Sequence, residues 1–532
     1  MTRYVVYGIT VALALICLIG AIWVGWLLIP GLILALLSAI GTHDLLQRRH
    51  SILRNYPVLG HMRFLFEGIR PEIRQYLIES DQDEEPFSRE TRSLVYQRAK
   101  GVEDKRPFGT RRRVYDSGYE WLTHSAMPIH IEDYDFRVKI GGPDCKQPYD
   151  ASVFNISAMS FGALSANAIL ALNNGAKMGG FAHDTGEGGI SRYHRQGGGD
   201  LIYEIGSGYF GCRTRDGRFD PDKFREQALD PQVKMIELKL SQGAKPGHGG
   251  MLPAAKITPE IAEARGVPMG VDCISPARHP EFSNPIEMMQ FIGRLRELSD
   301  GKPVGFKLCV GHAHEFLAIV KAMLQTGITP DFIVIDGKEG GTGAAPSEFI
   351  DHIGMPLREG LTFVHYALIG ANLRDRIRLG ASGMIISAFD IARVMALGAD
   401  WCNMARGFMF AVGCIQSQAC HTDKCPVGVA TQDPDRQRAL VVADKSVRVA
   451  QFHGKTLEAL AEVVAGAGLR HPSEFETYHF HKRVSYSQVT TFTNLYPPLA
   501  PGELLSGTND SRYKIPWQVA RADTFHASAL HA

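Results

Sequence analysis

The stretch from Pro303 to Pro346, "PVGFKLCVGHAHEFLAIVKAMLQTGITPDFIVIDGKEGGTGAAP", contains the repeating unit of the fold. "PVGFKLCVG" and "DFIVID" are short apolar runs of strand length. "AHEFLAIVKAMLQTG" between them repeats its apolar residues at the three- and four-residue spacing of an amphipathic helix. Strand, helix, strand and then a glycine-rich loop make a βαβ unit. Working outward, the same alternation spans Ser152 to about Gln432. The other strand-like runs are "SVFNIS", "GGFAHDT", "VKMIELKL", "GVDCIS", "RIRLGASGMIIS" and "ADWCNMARG", with helical stretches such as "NPIEMMQFIGRLRELS" between them. This predicts a (β/α)8 barrel or a doubly wound sheet. No G-x-G-x-x-G opens a helix with an acidic residue about 20 positions on, so a Rossmann dinucleotide site is not supported.

The glycine-rich and polar residues gather just after the strands, which in a barrel is the face that carries active sites. Four loops stand out: "SAMSFGALS", "HDTGEGG", "QGAKPGHGGMLP" and "GKEGGTGAAP". Small residues there let backbone N–H groups approach an anion or a flat ring. Lys245 and Arg265 are candidates to hold a carboxylate. Glu187, set between glycines, is a candidate for contacting an amine or exchanging a proton. Lys307 lies inside an apolar strand, where its charge demands a partner: a salt bridge or a ligand that develops negative charge. The alternative for each loop is a plain turn.

The totals set limits. The chain has 532 residues, 45% of them hydrophobic, and a formal net charge of +1. That balance argues against nucleic acid as a partner, which calls for a basic excess. Nine cysteines in a chain of this size do not form a disulfide framework and point to a reducing compartment. From Tyr4 to Ile40 there is no charged residue. One membrane span takes roughly 20 apolar residues, and this run is nearly long enough for two. Gly20, Trp23, Gly25 and Trp26 mark a turn, with Arg3 before the run and Arg48, Arg49 and Arg54 after it. The expectation is a membrane anchor at residues 1–45, a hairpin with both ends in the cytoplasm or a single span, rather than a signal peptide with its shorter apolar region, hence an inner-membrane protein with its barrel on the cytoplasmic side. A lead-in at 46–150, including a helix that starts after Pro71, packs on the barrel at 151–432. Residues 433–532 form a helical extension and tail, a cover or an oligomer contact.

"GCIQSQACHTDKCPVG", Gly413 to Gly428, holds Cys414, Cys420 and Cys425. Closely spaced cysteines with a proline after the last suit an iron–sulfur cluster. Buried thiols, or zinc with His421 as fourth ligand, are the alternatives.

From Ser152 to Gln432 the chain resembles the FMN-binding synthase domain of glutamate synthase. The resemblance rests on "SAMSFGALS", "TGEGG", "GAKPGHGG", "ISP", "FKL", "GGTGA", "LRDRIRL" and "CHTDKCPVGVATQ", in that order. The apolar N-terminus is similar to that of a stand-alone, membrane-anchored branch. The resemblance implies a (β/α)8 TIM barrel with FMN and a [3Fe-4S] cluster on Cys414, Cys420 and Cys425. Ser157, Ala158, Met159, Ser160 and Lys307 would contact the flavin, and Gly340, Gly341, Thr342 and Gly343 would lie beside it. Gly383, Ala405 and Arg406 would hold its phosphate. Lys245, Arg265 and Glu187 would bind an amino acid or 2-oxo acid, with Glu187 and Lys245 as the catalytic pair. Two departures stand out. Met251 occupies a position that is Gln in the family, and the phosphate loop reads "SGMIISA" where the family has "DGGLKTG". No glutaminase segment or NAD(P)H-binding fold is expected, so electrons would pass between the cluster and a carrier, ferredoxin-like or in the membrane. The rival readings are an electron-relay subunit without turnover of its own and an N-substituted-glutamate synthase subunit. A homo-oligomer is compatible with all three.

Overall fold

The computed structural model describes residues 4–47, 49–82 and 85–528. It divides into two compact units, Met1–Glu90 and Thr91–Ala532. The boundary falls inside the expected lead-in.

The first unit starts with two helices, α1 (Val5–Gly20) and α2 (Leu28–Leu46). They form an antiparallel hairpin: Leu18 faces Gly31, while Tyr7 faces Gly41. A Cβ on Gly31 would fall 2.9 Å from Leu18 Cδ2, and one on Gly41 2.5 Å from Tyr7 Cδ2. The helices therefore close on each other at small residues, as helix pairs in lipid do. Tyr7 Oη and Thr42 Oγ1 lie 2.8 Å apart, and Trp23 and Trp26 are exposed at the turn. By length and composition Gly25–Leu46 is long and apolar enough to cross a membrane; Val5–Gly20 is apolar but shorter. Of the flanking arginines, Arg3 and Arg48 lie outside the described residues. The helix expected after Pro71 instead begins earlier, as α3 (Gly60–Ile73). It runs into a π-helical turn, Arg74–Ile78.

The second unit is a closed eight-stranded parallel barrel. Its strands are β1 (Phe154–Ile156), β2 (His183–Asp184), β3 (Leu201–Ile205), β4 (Val233–Lys239), β5 (Val304–Leu308), β6 (Phe332–Asp336), β7 (Arg378–Ser382) and β8 (Trp401–Met404). Each pairs with its neighbours in sequence, and β8 closes on β1. Seven of the eight runs read as strands are barrel strands. The eighth, "GVDCIS", gives Cys273–Ile274, which pairs antiparallel with Met251–Leu252 outside the barrel. The strand in its place is β3, "LIYEI", whose Glu204 interrupts its apolar character.

The helices follow their capping residues. Ser165 caps α4 (Ala166–Gly179) by accepting from the Ala168 N–H, and Gly180, at φ +67°, ends it. Asn284 and Pro285 open α5 (Pro285–Leu298), and Gly327 ends α6 (Ala313–Thr326) in the left-handed conformation. The long helix α7 (Val442–Gly466) of the C-terminal extension covers the β1 side of the barrel. There its His453 stacks on Phe154 and Phe181 and hydrogen-bonds Ser152 Oγ at 3.0 Å. The two-stranded sheet Arg137–Ile140/Tyr149–Ser152 plugs the N-terminal end of the barrel, where Ile140, Tyr149, Ile202, Met235, Phe332 and Trp401 form one buried cluster.

Candidate active site

Side chains that alternate along a strand stack in layers inside a barrel. Met235, Glu237 and Lys239 share one face of β4, as Ile202 and Glu204 do on β3. The apolar bottom layer therefore gives way to a charged middle layer. In it Asp184, Glu204 and Glu237 point their carboxylates together, with ligand atoms within 4.8 Å of one another. Lys307 from β5 enters this group, bonded directly to Glu204 and 3.1 Å from Glu237 Oε1. All four are nearly inaccessible to solvent. Burial acts to lower the Lys307 pKa, but Glu204, Glu237, Asp184 and Asp336 outweigh it and hold the ammonium well above its ordinary range. The buried lysine thus has its salt bridge within the barrel.

Above this layer the mouth brings together the three substrate candidates. Glu187 Oε1 lies 3.0 Å from the ammonium of Lys239. Burial pushes the Glu187 carboxyl up, yet Lys239, then Arg265 and Lys245, prevail and hold it below the usual range. A Cβ on Gly206 or Gly250 would come 2.7 Å from a Glu187 carboxylate oxygen, so glycine on both flanks makes room for it. Lys245 donates to the Ala344 carbonyl at 3.1 Å, and burial, with Lys239 nearby, depresses its pKa. Arg265 donates from Nη2 to Ser160 Oγ and to the Phe161 carbonyl, both at 3.3 Å. Its buried Nε has no hydrogen-bond partner among the described residues. Three cations and one carboxylate leave a net positive mouth suited to a carboxylate-bearing ligand. Lys239 escaped the sequence reading, although its place at the end of β4, two residues from Glu237, was a usable signal. Met251 is half-exposed beside this mouth.

The ends of β6, β7 and β8 form a backbone cradle. A Cβ on Gly340 would stand 3.1 Å from Asp336 Oδ1, and one on Gly341 3.0 Å from Arg406 Nε. Arg406 bonds the Glu339 carbonyl, and burial lowers its pKa to about 10. Thr342 Oγ1 donates to the Ala344 carbonyl at 3.2 Å. Gly343 has open space about it. Gly383 has φ +144°, and Met384 follows at φ +46°. The loop therefore keeps a glycine-like path although methionine has replaced glycine. A left-handed methionine costs about 1–2 kcal/mol, partly offset by the backbone entropy that glycine would lose on folding. Met384→Gly should accordingly stabilise the barrel by about 0.5–1 kcal/mol, read as a higher urea midpoint; an unchanged or lower midpoint contradicts this account of the loop. On the β1 side Ser157 Oγ lies 3.4 Å from Ser382 Oγ. The Ala158–Ser160 turn lies against Gly186, whose added Cβ would be 2.7 Å from the Ser160 nitrogen.

The cysteine loop is tied to that same β1 loop. Ser165 donates to the Gly428 carbonyl at 2.7 Å. Gln432 Nε2 donates to the carbonyls of Gly162 (3.1 Å) and Leu164 (2.9 Å). Gln416, Gln418 and Asp423 all sit at positive φ, a concentration of strain typical of functional loops. Burial pushes the Cys414 thiol up to about 12 and raises that of Cys420, and neighbouring thiols of the loop add to both shifts. A bound metal cation reverses such a penalty by taking thiolates as ligands. Among the described residues, the only His, Cys, Asp or Glu group close enough to share one ion is Asp184, Glu204 and Glu237. His421 is exposed.

Residues 131–470 match the family model described as a conserved region in glutamate synthase. A glutamate synthase large subunit-like protein of Bacillus subtilis is 38% identical over 527 residues, covering 91% of this chain and 98% of the relative. An archaeal-type glutamate synthase [NADPH] of Thermotoga neapolitana is 34% identical over 314 residues, 59% of each chain. Among solved structures, mandelate oxidase with (S)-2-phenylpropionate matches with TM-score 0.41 and 14% identity, covering 75% of this chain and 97% of the other.

Proposed function

The chain belongs to the glutamate synthase family, whose members are oxidoreductases acting on the CH–NH2 group of donors, and from that premise we propose that it is a membrane-anchored FMN and iron–sulfur oxidoreductase working on an amino acid/2-oxo acid pair. The convergence of Lys239, Lys245 and Arg265 around Glu187 carries the reading. A small acid needs cations for its carboxylates, and an amine or imine needs an acceptor. One polar mouth offers both.

The residues present fit the two cofactors. Gly383, Met384 and Ala405 would hold the FMN phosphate through backbone groups, with Arg406 adding charge. Ser157, Ala158, Met159, Ser160 and Lys307 would meet the ring, and Gly340, Gly341, Thr342 and Gly343 would border it. Cys414, Cys420 and Cys425 would hold a [3Fe-4S] cluster. Bound there, the flavin supplies two-electron chemistry and the cluster single-electron transfer. The chain's own part is to bind and orient. Arg265 and Lys245 clamp the substrate carboxylates, while Glu187, kept ionised by Lys239, accepts a hydrogen bond from the amino or imino nitrogen and takes its proton. The β1 loop joins the mouth to the cysteine loop, a short route by which electrons would reach a carrier. The hairpin of α1 and α2 would fix the protein in the membrane with its barrel in the cytoplasm.

The flavin and iron content of detergent-solubilised protein tests this reading. It predicts one flavin and three irons per chain; protein carrying neither refutes it. Arg265→Ala should leave the flavin bound but raise the amino acid concentration for half-bleaching about 10- to 150-fold, as expected for a lost charged hydrogen bond of about 1.5–3 kcal/mol; an unchanged concentration would remove Arg265 from the site. The half-exposed Met251 favours a second reading, an electron relay with no substrate of its own. Under that reading no amino acid or 2-oxo acid changes the flavin spectrum.

A further inference from the structure

We propose that Asp184, Glu204 and Glu237, gathered round Lys307, hold one proton in common inside the barrel, and that they take up a further proton or release it as negative charge comes and goes at the cofactor site above them. The coupling rests on reading the mouth as a flavin site; the stored proton does not.

One lysine balances one carboxylate. Glu204 already bonds Lys307, and Glu237 Oε1 stands 3.1 Å from its ammonium without hydrogen-bond geometry. Asp184 Oδ1 accepts from the Gly186 N–H at 3.0 Å, while its Oδ2 and both Glu237 oxygens have no hydrogen-bond partner among the described residues. If all three carboxyls were ionised, two negative charges would remain where side-chain exposure is at most 5%. Buried carboxylates that share a site do not all ionise; one keeps its proton. A core built for stability alone would continue the apolar layer below, with Ile202, Met235 and Phe332. The groups facing the cluster come from every adjoining strand: Asp184 on β2, Glu204 on β3, Glu237 on β4, Lys307 on β5 and, farther out, Asp336 on β6. Burial first, then Glu237 and Glu204, pushes the Asp184 carboxyl well up. Burial likewise pushes Glu237 up to about 7, with Lys307 opposing and Glu204 reinforcing. The ammonium of Lys307 already occupies the place a metal cation would take.

The cluster is wired to the mouth. Gly186 donates to Asp184 and packs against the Ser160 nitrogen. Asp336 accepts from the Gly243 N–H at 2.6 Å and lies under Gly340. With a flavin bound above it, the cluster would take up one proton from solvent, forming one O–H bond, as a hydride from an amino acid C–H bond brought negative charge there; withdrawal of that charge would release the proton, and no other bond in the cluster would change.

Infrared difference spectroscopy of the holoprotein, flavin reduced minus oxidised, tests the proposal alongside the pH dependence of the flavin midpoint potential. The expected result is a protonated-carboxyl C=O band that changes on reduction, moves in D2O and disappears in Glu237→Gln, together with a shallower fall of potential with pH in that variant. Asp184→Asn serves if Glu237→Gln does not fold. Identical bands and identical pH slopes in wild type and variant overturn the proposal while leaving the flavin assignment standing. Protein that binds no flavin overturns the function and the coupling together. In that case the stored proton is still read from the same band in flavin-free protein at pH 7, and its absence overturns that part as well.

Discussion

Lys307→Met should lower the stability of the barrel by about 3–5 kcal/mol at pH 8, the usual cost of removing one partner from a buried ion pair. Here the cost lies at the high end, because three buried carboxyl groups, not all of them ionised, lose their one cation. The pH dependence identifies the cause. Asp184 and Glu237 already have folded-state pKa values raised above the ordinary carboxylate range. An acid whose folded pKa is raised binds more protons folded than unfolded, so its stabilising effect is present at low pH and is lost as pH rises through the folded value. Without Lys307 the carboxyls rise further, and the deficit should shrink from pH 8 to pH 5.5 as they are neutralised. Urea midpoints at the two pH values check this. A deficit below about 1 kcal/mol, equal at both, would mean that Lys307 does not hold the cluster together.

Cys425→Ser should abolish the oxidised three-iron EPR signal and, with it, electron transfer from the reduced flavin to any external carrier, while flavin binding and its bleaching by substrate persist. Cys425 is buried at the end of a loop whose strained turns bring the three cysteines into one neighbourhood. Serine offers a harder and far less acidic ligand in its place. Retention of the full signal would remove Cys425 from the ligand set.

Much of this was legible in the sequence. The parallel strands are apolar runs of the expected length, and each polar loop after a strand lies at the mouth. The grouping of Glu187, Lys245 and Arg265 followed from loop composition and resemblance, and the geometry brings them together. Three features were not legible, for one reason. Lys307 alone stood out as a charge in an apolar run that needs a partner, and composition does not say which face of a strand a charged residue occupies. Glu204 interrupts the apolar run of β3, which is not among the runs read as strands. Glu237 and Lys239 lie two residues apart on one face of β4, inside the run "VKMIELKL", and neither stood out in the sequence. The partner of Lys307 is spread over three other strands, and only closure of the barrel brings those strands together. "GVDCIS" failed in the opposite sense: an apolar run of the right length pairs outside the barrel, where burial rather than periodicity decides.

The central claim is that substrate oxidation at the mouth and the cysteine loop belong to one electron path. Anaerobic titration of the purified protein with a panel of amino acids, L-glutamate among them, followed by absorbance and EPR on the same samples, tests it most directly. The account predicts that at least one amino acid bleaches the flavin and that the oxidised three-iron signal declines in step. Flavin that bleaches while the signal stays unchanged, or a panel in which nothing bleaches the flavin, would contradict it.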